Sequence, residues 1–388
     1  MKGLVLNAQW DPRPDYPVSD SEKKTRKAIT GSSVWRYPTL EVRECEDPKI
    51  KNDEVLIEVQ ACGVCGSDMH FYETDEDGYI LYPGLTRFPT ILGHEFSGKI
   101  VEVGKSVDPA LVQVGNIVAV EEMLWCGYCT PCRSGLVNHC VNLEEVGFTI
   151  PGAFANYIAV GAKHCWPIES IAERFGDEKK AYEVGAVTEP TCVSYHGMFV
   201  RAGGFRPGAY VAVFGTGPIG LAALGLAKAA GAGRIAAFEI SAPRLELAKK
   251  MGAEYAYDPR DVKPSEALME LSKGEGFDFL VEAAGAPHVV IPEMEEAVAV
   301  NGKMVQIGRA AQRVPMYLET LQVRRGQVFG TQGHSGHGTF KNVIRMVAAG
   351  RIDMSPIITS RYKLADTVAA IAKSTERTDG KIMVFPND

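Results

Sequence analysis

A β-rich first part joined to an α/β second part is the architecture this sequence predicts. Two patterns carry the prediction. Up to about residue 190, short runs that alternate apolar and polar residues are separated by Gly-rich turns. Beyond that point, apolar strand-like runs alternate with helix-like stretches, the pattern of a parallel, doubly wound sheet. The composition agrees: 388 residues, 46% hydrophobic and 23% charged, are those of a globular chain long enough for two cores.

Taken in order, GLVLNA (3–8) and EVLIEVQA (54–61) read as strands. Residues 10–33 between them are rich in Pro, Ser and Lys and read as a surface insertion. FSGKIVEVG, GNIVAV and AFANYIAV continue the β pattern and suit a partly closed barrel. YVAVFG (210–215) opens the second part. PIGLAALGLAKAAGA, RIAAFE, APRLELAKKMGA, FDFLVEAAG, EMEEAVAV and GKMVQIG then alternate. FKNVIRMVAAG reads as a late helix and KIMVFPN as a last strand that returns to the first part. The expected domains are 1–189 with 331–388, and 190–330.

A net charge of −7 excludes the basic footprint of a nucleic-acid binder. No window supplies the roughly 20 apolar residues of a membrane helix, and the apolar stretch after Met1 is too short for a signal peptide. Nine cysteines, several of them clustered, fit metal binding in a reducing compartment better than disulfides, so a cytoplasmic protein is expected.

The run Gly215-Thr216-Gly217-Pro218-Ile219-Gly220 is a G-x-G-x-x-G between a strand and a helix. Gly215 makes the tight turn, Gly217 lets backbone approach a pyrophosphate, and Gly220 lets helix and sheet pack closely. The phosphates then sit at a helix N-terminus. Glu239, 19 residues past Gly220, is placed to bind ribose hydroxyls and to repel a 2′-phosphate, favouring NAD over NADP. Arg244 is the opposing signal, since a nearby arginine serves a 2′-phosphate.

Cys126, Cys129, Cys132 and Cys140 follow C-x2-C-x2-C-x7-C within one loop, enough thiolates to enclose Zn²⁺ with no open position. Cys65 and His94 form a second set that lacks a ligand. Glu189, at the sequence boundary of the two parts, is the candidate third, which leaves a coordination position for water or substrate. Asp68 or Glu95 can orient the imidazole. Singly, each has an ordinary reading as core cysteine, loop histidine or surface acid. Together with a dinucleotide motif they point to a metal-dependent redox enzyme. A nucleic-acid zinc ribbon and a set of metal-free buried cysteines are the competing readings of the cysteine loop.

CGVCGSDMH, GHEFSG, the cysteine loop, the TEP segment and GTGPIG occur in the order found in the zinc-dependent medium-chain alcohol and polyol dehydrogenases, which the chain resembles over nearly its whole length. The resemblance implies a GroES-like β domain carrying a catalytic and a structural zinc, with an inserted Rossmann domain that binds NAD. It implies Cys65, His94 and Glu189 as catalytic ligands and Glu95 as an alternate one. It implies Ser67 as the start of a proton relay that ends at His70. WDPRP, TDEDGYILYPGL, VEEMLWCG, QVRRGQ and QGHSGHGTF narrow the likeness to the branch acting on keto-inositols such as scyllo-inosose. Phe71, Gly330-Thr331 and Met123 depart from the sorbitol and threonine branches. Gln332, His334, Ser335 and His337 offer partners for the hydroxyls of a small polyol substrate, or form a plain surface turn. Trp125 and Tyr79 either wall the site or pack in the core. A homodimer or homotetramer is implied. A different polyol, sugar or L-threonine dehydrogenase is the nearest rival, and a noncatalytic zinc- and NAD-binding redox sensor is the rival of another class.

Overall fold

Strand Glu54–Val64 is the spine of the first part. Its alternation buries Val55, Ile57, Val59 and Ala61 completely, as period-2 patterning requires. It pairs antiparallel along its length with Glu95–Val103. On its other side its first half pairs with Tyr157–Gly161 and its last residues with Lys381–Phe385. The same sheet continues through Ile117–Val120 to Cys165–Pro167. A three-stranded sheet of Trp35–Glu44, Lys2–Trp10 and Thr90–Ile91 shares its core, which includes Leu4, Leu6, Trp35, Phe71 and Phe96.

This computed structural model describes residues 1–310 and 312–388. By internal contacts the chain forms two units. The first is Met1–Glu189, Ser360–Glu376 and Lys381–Asp388; the second is Pro190–Thr359 and Arg377–Gly380. The second unit therefore runs past the expected limit at residue 330. Helix Thr339–Ala348 buries Phe340, Val343, Ile344 and Val347, and Asn342 Nδ2 donates to Tyr195 Oη at 3.1 Å inside this unit.

In the second unit six parallel strands form one sheet: β1 (Tyr210–Phe214), β2 (Arg234–Phe238), β3 (Tyr255–Tyr257), β4 (Phe277–Glu282), β5 (Val298–Gln306) and β6 (Gln327–Gly330). Their order is β3-β2-β1-β4-β5-β6. That is the doubly wound order, with its switch point between β1 and β4, and ligands bind there beyond the carboxyl ends of the strands. EMEEAVAV, expected as one run, divides: helix Pro287–Ala297 ends at its alanine and β5 begins at Val298.

The 10–33 segment is tied down more firmly than a polar insertion suggests. Helix Asp20–Thr25 carries a capping box between Ser19 and Glu22. Glu22 is buried and also accepts from Tyr16 Oη at 2.8 Å and Ile29 N at 2.9 Å. Arg13 forms an ion pair with Asp75 and stacks 3.9 Å from the Tyr79 ring, and Arg36 lies 4.9 Å from the same ring. Tyr79 is thus packed between cations rather than lining an open site. No helix among the described residues is long and apolar enough to cross a membrane.

Candidate active site and metal centres

The cysteine loop closes on itself. Cys126, Cys129, Cys132 and Cys140 bring their sulfurs within 4.8 Å of one another, and none is in a disulfide. Cys129 Sγ and Cys140 Sγ are 3.8 Å apart, about the edge of a tetrahedron with ~2.3 Å zinc–sulfur bonds. Backbone N–H groups of Cys126 and Asn142 point at Cys140 Sγ at 3.4 and 3.3 Å. The thiols differ in acidity. Burial opposes ionisation of Cys126, but donors from Tyr128, Asn142 and Cys129 bring its pKa down to about 6. Burial pushes Cys132 up to about 12. Four sulfurs this close can all be thiolates only around a cation, so the donor set fits Zn²⁺. Trp125, beside this loop, packs edge-on to His164 with ring centres 5.5 Å apart and lies under Lys163 Nζ at 4.1 Å.

The second cluster forms where three strands meet. Gly63 stands opposite both Glu95 and Met383 in the sheet register. A Cβ at Gly63 would lie 2.3 Å from Glu95 Oε2 and 3.2 Å from Lys381 Cδ. Glycine there leaves room for a fully buried ion pair between Lys381 and Glu95, in which Lys381 Nζ also donates to Val64 O at 2.9 Å. Burial alone would lower the Lys381 pKa; Glu95, Cys65 and Glu189 outweigh it and raise it.

Cys65 leads into helix Gly66–Tyr72, which carries Ser67, Asp68 and His70. His94 immediately precedes strand Glu95–Val103. The metal-binding atoms of Cys65, His94 and Glu95 lie within 4.8 Å of one another. Ser67 Oγ is 3.4 Å from His94 Nε2. On the other side of the ring, His94 Nδ1 faces Asp68 Oδ1 at 3.9 Å, and neither atom makes a hydrogen bond. Asp68 Oδ2 accepts the Cys65 N–H at 2.9 Å. Burial alone would lower the His94 pKa, but Asp68, then Cys65 and Glu189, hold it well above the usual value. Burial raises Asp68 to about 6. With Glu95 already paired to Lys381, the thiol of Cys65, the imidazole of His94 and the nearby carboxyl groups still form a donor set that fits a divalent ion.

Glu189 lies in the first turn of helix Thr188–Tyr195 and is buried. Its charge acts on both His94 and Lys381. Glu95, not Glu189, is the acid within the tight group, although Lys381 already occupies it. His70 follows Ser67 by one helical turn, its side chain 38% exposed and 3.9 Å from Glu73. Sequence reasoning missed Lys381; the only signal was a lone lysine opening an otherwise apolar strand.

In the second unit the glycine loop has the expected form. Gly215 adopts φ 84°, and a Cβ there would lie 2.5 Å from Ala284 Cα. A Cβ at Gly220 would lie 1.9 Å from Gly215 O. At Gly217, which caps helix Pro218–Ala229, a Cβ would meet only Arg244 Nη1 at 3.8 Å, so this face is free for a phosphate. Glu239 takes two donors on each oxygen: Thr216 N at 2.8 Å and Thr216 Oγ1 at 3.3 Å on one, Ile240 N at 2.8 Å and Ser241 N at 3.0 Å on the other. The carboxylate placed to bind ribose hydroxyls is thus also held by backbone and side-chain donors of its own turn. Arg244 donates from Nε to Asp379 O at 2.8 Å, and burial lowers its pKa. Gln332 and His337 are exposed, whereas His334 and Ser335 are fully buried.

Comparison with known proteins agrees with this arrangement. Residues 51–170 match the alcohol dehydrogenase GroES-like domain and residues 218–349 match zinc-binding dehydrogenase. The chain is 43% identical over 375 residues to scyllo-inosose 3-dehydrogenase of Thermotoga maritima, covering 94% of each chain. A solved alcohol dehydrogenase structure from Thermotoga maritima superposes with a TM-score of 0.95 at 42% identity, over 99% of this chain and 100% of that one. A zinc-binding dehydrogenase of Sinorhizobium meliloti, solved bound to NADP, gives 0.78 at 27% identity, over 93% and 99%. With a thiol–imidazole cluster and a four-cysteine loop in one unit and a glycine-loop doubly wound sheet in the other, the chain is a dehydrogenase and belongs to the zinc-binding alcohol dehydrogenase family.

Proposed function

We propose that this dehydrogenase oxidises a secondary hydroxyl of a cyclic polyol, a keto-inositol such as scyllo-inosose, and delivers the hydride to NAD. The Cys65–His94 cluster carries the reading, because it pairs a thiol and an imidazole that can share a metal with an open position. Likeness to an enzyme named for scyllo-inosose supports the substrate class. Cys65 and His94, with Glu189 or Glu95 as the carboxylate, would hold a catalytic zinc, and the four cysteines would hold a structural one. A zinc ion held there would supply Lewis-acid chemistry to a hydroxyl oxygen.

The chain's own residues do the rest. Asp68 faces His94 Nδ1 across 3.9 Å, and its charge would favour the ring orientation that leaves Nε2 beside Ser67. Ser67 would accept a hydrogen bond from the substrate hydroxyl and begin a proton relay that ends at the half-exposed His70, one helical turn on. Gly215, Thr216, Gly217, Pro218, Ile219 and Gly220 would cradle the dinucleotide phosphates, and Glu239, held by Thr216, would offer its carboxylate to the adenosine ribose. Glu239 favours NAD; Arg244 contributes charge at the same edge.

The test is NADH formation by purified enzyme on scyllo-inosose, sorbitol and L-threonine, with metal analysis of the same preparation. The expected result is two zinc ions per chain and highest kcat/KM on scyllo-inosose. Preference for another polyol or for threonine overturns the substrate, and NAD binding without turnover on any alcohol overturns the mechanism. Ser67→Ala should lower kcat by about 10²-fold or more; full turnover in that variant removes the relay.

A further inference from the structure

Where the ends of three parallel strands meet, the second unit buries a carboxylate that the proposed chemistry does not use. Glu282 is the last residue of β4 and is fully buried. Its Oε1 accepts from Ala284 N at 3.0 Å and Ala286 N at 3.2 Å, and its Oε2 accepts from Gln306 Nε2 at 2.6 Å. Gln306 ends β5, and its Nε2 also donates to Gly308 O at 2.6 Å. These partners of Glu282 are all neutral N–H donors, which suit the ionised form. No ion pair among the described residues includes it. Burial raises its pKa, and the donors at Ala286, Ala284 and Gln306 act against the rise. The buried Glu95 of the first unit, by contrast, has Lys381 as its counter-ion.

Two glycines bring neighbouring turns against this group. A Cβ at Gly308 would lie 2.4 Å from Glu282 Oε2 and 2.6 Å from Gly285 N. The glycine loop lies against Ala284 through Gly215, and Ala283 N donates to Phe214 O at 2.8 Å. The turns after β1, β4 and β5 are thus packed around one negative charge. A glutamine would serve the two backbone N–H groups at a smaller cost of burial, so the charge itself calls for a reason.

Position supplies one. The switch point lies between β1 and β4. The adenosine half of a dinucleotide lies on the side of β1 to β3, where Glu239 is, and the nicotinamide half on the side of β4 and β5. Glu282 and Gln306 end those two strands. The nicotinamide ring is a cation in the oxidised nucleotide and neutral once it has taken the hydride. The phosphates carry the same charge in both forms, so their repulsion by Glu282 cancels in the comparison. A fixed charge in a protein interior acts on what differs.

We infer that the Glu282 carboxylate shifts the balance of nucleotide binding toward the oxidised form, and so poises the enzyme for alcohol oxidation. This rests on the reading of the glycine loop as a dinucleotide site and deepens it to the redox form that the site favours.

The experiment measures Kd for NAD and for NADH separately, by calorimetry and nucleotide fluorescence, on the metal-loaded enzyme without substrate. The unaltered protein comes first. If it binds NADP and NADPH instead, that pair is used; if it binds none of the four, the dinucleotide reading falls and this inference with it. In Glu282→Gln the ratio of the NAD Kd to the NADH Kd should rise about fivefold or more, through weaker NAD binding. Gln306→Lys sets an ammonium against the carboxylate and should move the ratio the same way. Gln306→Met removes a donor but not the charge and should leave the ratio unchanged, which a mere brace for the turns would not distinguish. A folded Glu282→Gln with an unchanged ratio overturns the proposal, as does equal weakening of both nucleotides. If that variant does not fold, an unchanged ratio in Gln306→Lys overturns it.

Discussion

Lys381 is the residue on which the first unit's chemistry leans most. It is a fully buried cation whose partners are Glu95 and a backbone carbonyl. Removing one member of such a pair strands the other. Lys381→Met should cost about 3–5 kcal/mol in urea unfolding of the metal-loaded protein. Adding Glu95→Gln should recover part of that loss, since no carboxylate is then left unpaired; equal stability of the single and double variants would separate the two residues. The sequence made Cys65, His94 and the four-cysteine loop readable because metal donors at short spacing have few other uses. Lys381 was unreadable because its partner lies 286 residues away and the register that joins them exists only in the sheet. Glu239 shows the converse case: its identity was legible, its occupation by Thr216, Ile240 and Ser241 was not.

At the level of elements, the glycines separate into those that clear space and those that bend the chain. Gly220 clears space, its absent Cβ falling 1.9 Å from Gly215 O. Gly220→Ala should destabilise by about 1–3 kcal/mol through overpacking and weaken NADH binding in a titration more than it lowers melting temperature in the absence of nucleotide. The cysteine loop should behave as a metal clip. Cys140→Ser should reduce zinc content by one equivalent per chain and lower the thermal midpoint, while the Cys65 site keeps its own metal; unchanged zinc content would mean the loop is not a metal site. Strands and helices of the second unit were legible because parallel β-α alternation leaves long apolar runs. Strand Trp35–Glu44 was not, because its alternation is interrupted by Pro38 and faces charge on the exposed side. Residues 331–359 join the second unit for the same reason: the amphipathic face of helix Thr339–Ala348 shows that it packs, not on what.

Over the whole molecule, stability should depend on pH through histidine burial. His164 is 3% exposed, and burial lowers its pKa, with Glu121 acting against the shift. Its folded pKa is below the unfolded value near 6.5, so the unfolded chain binds the extra proton as acid is added. Stability is retained above that value and declines as pH falls through it toward the folded pKa. His164→Asn should flatten this decline by up to one proton, about 1.4 kcal/mol per pH unit; an unaltered slope would assign the acid sensitivity to other groups. The segment order has a last consequence for how the protein is made. The second unit is translated between the two halves of the Lys381–Glu95 contact. A nascent chain that has emitted every cysteine and histidine of both metal clusters still lacks the counter-ion for Glu95. Until the ribosome has passed residue 381, Glu95 has no Lys381 to pair with, so closing this buried ion pair belongs to the final stage of synthesis.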